Sequence, residues 1–466
     1  MKDKKRRFEV FSFYDRTGME RHLERMAEKG WMLEKMGAFG WVYRKIQPRR
    51  VRFAVSYFPS ASEYDPDMTE EQREFQDFCR HTGWELAACS GQLQIFSNVR
   101  ENPVPIETDP ELEVENLHKT AKKSFLTSYF VLLAVSAMNL ALGVSSLFDK
   151  PLELLSSVTD MFPLFAWGLL LILCAGELGC YYHWLYRARR EAREGIFLET
   201  RGTSRLQRWI LWVLLVGMAL WLGSFLRKAP SMALWVTAVI VGVHGLIFAT
   251  VFGLKTYLKK RKVSANWNRA LTLGLSFVIA FALVAGGIFT LIHASNAGLF
   301  EGERETYEYR GSTFSVYRDK LPLTVEDLTA VQHPEEYNRR KTGDESPLLA
   351  RLTMQQRPRL DAPHFQELPS LSYTVTEVKL PWLYGFCREQ LLSERKDQVY
   401  DGGILVDRYE PVDPAPWGAE EAYRVYWSSG YLDKYLLCYN RTLVELTLDW
   451  EPTAEQMGIV GEKLGK

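Results

Sequence analysis

The sequence predicts a membrane protein in which an α-helical bundle of five spans is flanked by two α+β domains. Five stretches carry almost no charge and lie at 125–148, 161–186, 209–226, 232–254 and 270–292. Each approaches or exceeds the length of about 20 apolar residues that a helix needs to cross a bilayer. The segments 1–100 and 300–466 on either side are polar and large enough to bury cores of their own.

The spans divide the 466 residues into four parts. Residues 1–100 are expected to form a cytoplasmic domain built from a duplicated βαββ unit. Residues 101–123 are acidic and contain prolines, which predicts a linker. Residues 124–293 hold the five spans, and residues 300–466 are expected to form an extracytoplasmic α+β domain.

Lysines and arginines are distributed unevenly between two sets of loops, and this predicts the orientation. Sixteen of them lie just before the first span, between the second and third spans, or between the fourth and fifth, against three in the alternate loops. Basic loops stay in the cytoplasm, so the N-terminus is expected inside. Because five is an odd number, the C-terminal domain is expected outside. Alternatively, the short stretch 209–226 is a buried helix, which would return that domain to the cytoplasm.

One pattern occurs twice in the N-terminal domain. The predicted order is strand, helix, strand, strand, at 8–14, 17–29, 32–35 and 40–46 and then at 52–58, 69–82, 85–89 and 92–98. Each helix ends at a Gly-Trp pair, Gly30-Trp31 and Gly83-Trp84, where glycine permits a left-handed cap. The repeat predicts an antiparallel sheet of about six strands, and whether it stays open or closes into a barrel is undecided.

Several residues of this domain resemble a known family. They are Phe13-Tyr14-Asp15, the stretch 23–31, Phe39-Gly40 and the second motif Gly83-Trp84-Glu85-Leu86. Together they resemble a bacterial domain family of unknown function, whose members carry this module beside a few membrane spans. The resemblance covers about the first 100 residues. It implies a bacterial, membrane-associated protein and supplies no catalytic residues.

Charge divides the N-terminal region into two halves. Residues 1–52 hold 15 basic and 7 acidic side chains, whereas residues 53–116 hold 3 basic and 14 acidic. The halves are expected to attract each other, and the alternative is that the basic half faces anionic lipid headgroups. No basic-aromatic motif stands out, so nucleic acid is not an expected partner.

Two ionisable side chains, Glu177 and His244, lie within the second and fourth predicted spans. Such groups are costly inside a membrane and are often functional. One hypothesis is that they face each other as a polar node that relays a proton or a substrate. The alternative is that they are packing contacts between helices, which Gly176 and Gly179 favour. Histidines in or near the spans lack ligand spacing, so no metal or cofactor is expected.

The C-terminal domain shows no catalytic constellation. The run from Ser393 to Lys396 and the run 341–343 match two motifs of penicillin-binding enzymes, but in the reverse chain order. Lys341 is also expected in a polar loop. Strands are expected at 305–319, 371–380, 404–409, 422–427, 435–439 and 443–450, and helices at 381–395 and 453–464.

Cys387 and Cys438 both fall in the domain that is expected outside, where disulfides can form. Their spacing does not decide between a disulfide and two free thiols. Cys79 and Cys89 fall in the domain that is expected inside, where thiols stay reduced.

Folded domains on both sides of a membrane, without catalytic residues, favour a sensor or signalling-accessory protein. The outer domain would bind a cell-envelope ligand or protein partner, and the spans would relay its state to the inner domain. The alternative is a transport-related protein, either a permease accessory or a small transporter, that uses Glu177 and His244. An enzyme ranks third. The lipid bilayer is the one partner that every hypothesis requires.

Overall fold

The computed structural model describes residues 3–37, 40–228, 230–296, 305–331, 333–400, 403–428 and 430–465. The chain divides into two compact units. The first unit comprises Met1–Ala141 and Phe165–Asn296, and the second comprises Leu142–Leu164 and Ala297–Lys466. Phe39, which belongs to the family resemblance, lies outside the described residues.

The N-terminal module of the first unit contains two three-stranded antiparallel sheets, each with one helix. The elements of the first half are β1 (Lys4–Arg7), α1 (Arg16–Glu28), β2 (Trp31–Lys35) and β3 (Trp41–Lys45). Those of the second half are β4 (Arg52–Tyr57), α2 (Glu70–His81), β5 (Glu85–Ser90) and β6 (Leu93–Asn98). The strand orders, β1-β3-β2 and β4-β6-β5, are the same. The prediction of one six-stranded sheet was therefore wrong.

The two halves also agree in their irregularities. In each, the register between the second and third strands shifts, between Leu33 and Lys35 and again between Leu86 and Ala88. Such a shift marks a β-bulge. The glycines that follow the helices both have positive φ, +78° at Gly30 and +89° at Gly83, as expected for a left-handed helix end.

The first strand was misplaced by the sequence pattern. Residues 8–14 alternate like a strand, but the strand lies at Lys4–Arg7, and the alternating stretch leads without regular structure into α1. The aromatic residues of this stretch alternate for a reason unrelated to a strand, because each of them packs on a different neighbour. Phe11, Phe13 and Tyr14 contact, respectively, Trp41, Tyr57 and Tyr181.

The predicted linker is largely helical. Residues 101–109 are irregular, and α3 (Pro110–Ala121) then begins at a proline behind the capping side chain of Asp109, a common helix start. A π-helical turn, Lys122–Leu126, joins α3 to α4 (Thr127–Asp149). Val114 and Leu117 of α3 are buried in the core of the module, so this segment is part of the fold.

Further helices follow α4 and complete the apolar region. They are α5 (Pro151–Ser156), α6 (Val158–Ala192), α7 (Ser204–Lys228), α8 (Pro230–Lys260) and α9 (Ala265–Asn296). Within the described part of the chain, five helical segments are long and apolar enough to cross a membrane, and the third of them is α7. These segments indicate a multi-pass integral membrane protein, and the predicted fold class is confirmed.

Most of the second unit surrounds a seven-stranded sheet in the order β14-β15-β16-β17-β11-β10-β9. Every pairing within that sheet is antiparallel. The elements are β7 (Thr306–Tyr309), β8 (Ser312–Ser315), α10 (Val325–Leu328), β9 (Tyr337–Glu345), β10 (Leu349–Pro358), β11 (Leu371–Val378), α11 (Tyr384–Ser393), β12 (Gln398–Tyr400), β13 (Gly403–Leu405), β14 (Asp407–Val412), β15 (Glu421–Trp427), β16 (Gly430–Cys438), β17 (Thr442–Leu448) and α12 (Ala454–Leu464).

Two strands of this sheet, β9 and β10, were absent from the sequence prediction. Lys341 lies within β9, so its expected place in a loop was wrong. β9 is an edge strand, and most of its side chains reach solvent. Edge strands are commonly polar, and that composition hides them from a search for alternating apolar residues.

The short helix α5 belongs to the core of the second unit. Leu152 is 2% exposed and lies in one apolar cluster with Leu349, Val378 and Leu383. The Ser346 hydroxyl donates to the Leu155 carbonyl at 2.6 Å. The connection between the first two spans is therefore built into the folded C-terminal unit.

Candidate functional site

A buried carboxylate connects the N-terminal module to two of the long helices. Glu177 lies on α6 and is 0% exposed. Its Oε1 accepts a hydrogen bond of 2.7 Å from the Ser12 hydroxyl, and further hydrogen bonds from the Thr203 hydroxyl and the Gln207 amide. Ser12 precedes α1, whereas Thr203 and Gln207 lie before and within α7. Three distant parts of the chain therefore meet at one oxygen atom.

The donors around Glu177 are themselves connected. Ser12 is 2% exposed, and its hydroxyl oxygen accepts hydrogen bonds from the Thr203 N–H at 2.9 Å and from the Gln207 amide at 3.2 Å. Among the residues that the structure describes, Glu177 forms no ion pair with a lysine or arginine. Buried polar groups need hydrogen-bond partners, and neutral donors supply them at Glu177 Oε1, whereas Oε2 is buried without a hydrogen-bond partner among the described residues. We call Ser12, Glu177, Thr203 and Gln207, together with Asp15, Thr17 and Thr200, the polar junction.

Asp15 and Thr17 form the second half of the junction. Asp15 caps α1 by accepting from the Gly18 N–H at 3.1 Å. The Thr17 N–H donates to the Thr200 hydroxyl at 2.8 Å, and the Thr200 N–H donates to the Thr17 hydroxyl at 3.0 Å. Burial raises the pKa of Asp15, although hydrogen bonds from Gly18, Gly202 and Thr200 oppose the rise. The start of α1 is thus fixed to the segment before α7.

The junction is closely packed at Gly202. A Cβ atom at this position would lie 2.7 Å from Asp15 Oδ2 and 2.7 Å from Ser12 Oγ. No side chain fits at these separations without displacing the polar groups. The glycine therefore allows the loop before α7 to approach the module.

Aromatic side chains surround the polar junction on its apolar side. Tyr14 is fully buried, and its ring centroid lies 5.3 Å from that of Tyr181, 5.9 Å from Trp184 and 6.1 Å from Phe125. Tyr181 and Trp184 belong to α6, and Phe125 belongs to the turn before α4. The core of the module is therefore continuous with the ends of the first two spans.

The loop between β4 and α2 provides a second attachment. The Lys255 ammonium lies 2.7 Å from the Glu63 carboxylate and 5.2 Å from the centre of the Tyr64 ring. The Asn268 amide donates to the Tyr64 carbonyl at 3.1 Å, and Asn268 is fully buried. Lys255 ends the apolar part of α8, and Asn268 begins α9. The module thus contacts the helix ends that carry the basic loops.

A cleft of about 260 Å³ in the module contains an unusual group of charges. Arg16 Nη1 lies 2.5 Å from Glu113 Oε2, and Glu20 and Glu107 line the cleft with Arg16. The Val55 N–H donates to Glu20 at 2.9 Å, and the Ser56 hydroxyl donates to Glu107 at 2.8 Å. The Arg16 guanidinium therefore lies near three carboxyl groups, and Arg52 is a second arginine of the cleft lining. The Arg16–Glu113 pair also joins the basic and acidic halves of the N-terminal region.

Burial changes the protonation of two of these carboxyl groups. Loss of solvation raises the pKa of Glu20 to about 7, against the opposing effects of Arg16 and the Val55 N–H. Loss of solvation and the nearby Glu113 also raise the pKa of Glu107 to about 7. Both groups therefore exchange protons near neutral pH, so the charge of the cleft responds to physiological pH.

The structure does not join the two intramembrane residues that the sequence paired. Glu177 is bonded to the module and to α7, whereas His244 Nδ1 forms a hydrogen bond of 2.7 Å with the Ile240 carbonyl of its own helix. Among the described residues, no hydrogen bond connects Glu177 with His244. The contacts of Glu177 join neighbouring segments of the chain, and a folded domain is one of the partners.

The tryptophans of the Gly-Trp pairs and the two C-terminal cysteines make contacts within their own domains. Trp84 is 4% exposed, and its indole N–H donates to the Val104 carbonyl at 2.8 Å. Trp31 is partly exposed, and the Lys5 ammonium lies 5.4 Å from the centre of its ring. Cys387 and Cys438 are free thiols buried in one apolar cluster.

The sequence points to Glu177 as an intramembrane carboxylate and to Asp15 as part of the family resemblance, but not to the rest of the junction. Ser12 is a polar residue within the alternating stretch 8–14, and Thr200 and Thr203 are common polar residues in a stretch that shows no periodicity. The one available signal was composition. The run from Thr200 to Ser204 contains glycine and three hydroxyl residues inside an otherwise basic loop. That composition suits a close approach to another backbone.

Two substitutions at Glu177 should have very different effects. Glutamine retains an acceptor oxygen for all three donors, so Glu177→Gln should change the local opening free energy of α1 by less than about 1 kcal/mol. Leucine leaves the buried donors unpaired, and Glu177→Leu should lower that free energy by about 3 kcal/mol or more. Amide hydrogen exchange of residues 16–28 measures both. Glu191→Leu on the same helix removes an ion pair with Arg187 (3.4 Å) and should leave α1 unchanged; equal effects of the two leucine variants would contradict the role of the junction.

The cleft predicts a pH dependence of stability. The folded-state pKa values of Glu20 and Glu107 lie near 7, above the value of about 4.3 for an unfolded chain. At a pH between these two values, the folded state therefore binds more protons than the unfolded state. The stability that these groups contribute is complete below about pH 4 and is lost as the pH rises through about 7. The double variant Glu20→Gln/Glu107→Gln should flatten the unfolding temperature of the full-length protein between pH 5 and 8. Glu74→Gln, an exposed change on α2, should not; a wild-type curve that rises over this range would refute the assignment.

Comparison with known proteins agrees with the sequence resemblance. No curated protein and no solved structure matches the chain. A family model described as "Protein of unknown function (DUF2812)" matches residues 15–129. The match begins at the cap of α1 and ends just inside α4. It contains the second sheet, the cleft, α3 and two strands of the first sheet, whereas β1 precedes it. Residues 15–129 of this chain therefore form a DUF2812 domain, a domain of unknown function at the N-terminus of a multi-pass membrane protein.

Proposed function

We propose that this protein is a sensor or signalling-accessory protein that couples the state of its C-terminal unit to its DUF2812 domain through α4 and α6. The observation that carries the proposal is that both helices end in folded cores. Near the DUF2812 domain, Phe125 precedes α4, and Tyr181 and Trp184 belong to α6; all three pack around Tyr14. A displacement of either helix would therefore reach the domain directly.

The opposite ends of the same helices support the other half of the coupling. α4 and α6 are connected through α5, and Leu152 of α5 is buried against the sheet of the C-terminal unit. The hydrogen bond from Ser346 to the Leu155 carbonyl adds a directional contact. Because a helix transmits axial and rotational displacements along its length, a change in the sheet would move α4 and α6.

We also propose that the DUF2812 domain is cytoplasmic and the C-terminal unit extracytoplasmic. The charge distribution supports this orientation, since the loops between α6 and α7 and between α8 and α9 are rich in arginine and lysine. The domain contacts those helix ends, through Thr200 before α7 and through Lys255 and Asn268 on α8 and α9. It therefore belongs on the same side as the basic loops.

The two halves of the DUF2812 domain are proposed to be copies of one βαββ unit. They share strand order, and the register shifts at Leu33/Lys35 and Leu86/Ala88 occur at equivalent positions. The spacing of 53 residues also relates Gly30 to Gly83. Such a duplication would give the domain two similar halves, of which the first contacts the segment before α7 through the start of α1 and the second contacts α8 and α9 through the β4–α2 loop.

The transport alternative relied on a node formed by Glu177 and His244. The described hydrogen bonds of Glu177 connect it to the DUF2812 domain and to α7, whereas that of His244 connects it to Ile240. No specific contact of the described residues favours transport, so the coupling function is the one proposed.

The orientation predicts a protease pattern in intact cells. Trypsin added outside should cleave after Arg310, which is exposed in the turn between β7 and β8, and should remove or fragment the C-terminal unit. Arg25, exposed on α1, should become accessible only after the membrane is permeabilised. Antibodies against the two ends of the chain measure both events. A C-terminal unit that survives while a known surface protein is digested would refute the orientation.

Coupling predicts that damage at α5 is felt in the DUF2812 domain. Leu152→Ala should detach α5 from the sheet, and amide exchange of residues 16–28 should accelerate about 5-fold or more, since coupling free energies are typically 1–3 kcal/mol. By reciprocity, Glu177→Leu should accelerate exchange in β10.

The matched control for this experiment is Ser393→Ala. Ser393 donates to the Gln390 carbonyl within its own helix at 2.9 Å, so its loss should leave residues 16–28 unchanged. Leu152→Ala should make the amides of α5 exchange faster. If the exchange of residues 16–28 is then unchanged, the two units are independent and the coupling is refuted.

A further inference from the structure

The C-terminal unit brings together two histidines that lie far apart in the sequence. The chain has eight histidines, and only His333 and His364 lie beyond residue 293. Their imidazole rings are nearly parallel, with 4° between the planes and 4.2 Å between the centroids. Since these two residues are 31 positions apart, their spacing did not suggest a metal site.

Glu336 completes a group of three side chains with metal-binding atoms. Its Oε1 lies 3.0 Å from His364 Nδ1. One ligand atom from each of His333, Glu336 and His364 lies within 4.8 Å of the others. Bonds of about 2.0–2.2 Å to a tetrahedral zinc ion place its ligands roughly 3.3 Å apart. Because an imidazole nitrogen binds a metal in the plane of its ring, the two parallel rings have to rotate out of their stack for both to face one ion.

The two loops are held in place by contacts other than those among the three side chains. His333 occupies the N-cap of a 3₁₀ turn, Pro334–Glu336, which leads into β9. The Arg359 N–H donates to the Glu336 carbonyl at 2.8 Å, and the Tyr337 hydroxyl donates to the Pro369 carbonyl at 2.7 Å. The ligand-bearing segments are therefore positioned in advance, which lowers the cost of binding.

We propose that His333, Glu336 and His364 bind one divalent transition-metal ion of the Zn²⁺ class, with the remaining coordination position open to water or to an exogenous ligand. Two imidazole nitrogens and one carboxylate oxygen are a donor set that Zn²⁺ accepts. Mg²⁺ and Ca²⁺ prefer oxygen ligands throughout, so the two histidines disfavour them. The site lies in the C-terminal unit, and the inference does not depend on the coupling function.

The histidine side chains are accessible enough for a metal ion to enter. They are 36% exposed at His333 and 40% exposed at His364, whereas the Glu336 side chain is 11% exposed. Glu335 Oε1 also lies 3.4 Å from His333 Nδ1 and adds a negative charge beside the site. The competing explanation is a pair of ordinary surface ion pairs, His333–Glu335 and His364–Glu336, with no metal.

Zinc binding by the full-length protein in detergent micelles distinguishes these explanations. After treatment with a chelator and removal of the chelator, the wild-type protein should bind one Zn²⁺ per chain at this site. Zn²⁺ should also raise the unfolding temperature of the protein. His333→Ala, His364→Ala and Glu336→Gln should each weaken this binding by at least about tenfold. Mg²⁺ should not compete for the site.

The matched control is His81→Ala, which removes an exposed histidine of the N-terminal module and should bind Zn²⁺ like wild type. Replacement of Zn²⁺ by Co²⁺ should give a spectrum without thiolate charge-transfer bands, which excludes the six cysteines as ligands. Because Glu336→Gln retains a hydrogen-bond acceptor, it separates lost coordination from lost folding. Absence of bound Zn²⁺ in the wild type, or equal affinity in the Glu336→Gln and His81→Ala variants, would overturn the proposal and leave the ion pairs as the explanation.

Discussion

The position of the N-terminal domain depends on a buried carboxylate whose hydrogen-bond partners among the described residues are neutral groups. Glu177 accepts hydrogen bonds from Ser12, Thr203 and Gln207, which arrive from before α1, before α7 and within α7. A buried carboxylate without these donors would be strongly unfavourable, so the domain, α6 and α7 have to be assembled together. Apolar contacts alone would tolerate sliding, whereas this hydrogen-bond geometry allows one arrangement.

Where the N-terminal domain meets α6 and the segment before α7, stability and specificity come from different groups. The aromatic cluster around Tyr14 supplies apolar burial, which is large but non-directional. The polar junction supplies direction, because each hydrogen bond constrains distance and angle. Gly202 permits both by letting the loop before α7 approach Asp15 and Ser12. This division between an apolar cluster and a polar junction explains why a carboxylate, which costs free energy to bury, occurs beside an otherwise apolar contact.

The sequence predicts what depends on composition and periodicity, and it misses what depends on long-range contact. The five apolar stretches, the two Gly-Trp helix ends and the meander of β15, β16 and β17 follow from local patterns. The edge strand β9 escapes prediction from the sequence because solvent-facing side chains make it polar. Residues 8–14 resemble a strand because aromatic residues with unrelated partners alternate there. Ser12 and Thr203 are 191 residues apart, and no local pattern connects them. The same holds for His333 and His364.

β9 gives a physical route between the proposed metal site and the spans. Glu336 immediately precedes this strand, and Ser346, which holds α5 through the Leu155 carbonyl, immediately follows it. A nine-residue strand spans about 30 Å at 3.3 Å per residue and is stiffened by its hydrogen bonds to β10. An ion that fixes one end of β9 would therefore restrict the other end, where α5 connects α4 to α6. Metal binding beside Glu336 would in this way restrict the position of α5, because the strand between Glu336 and Ser346 is paired along its length and uninterrupted.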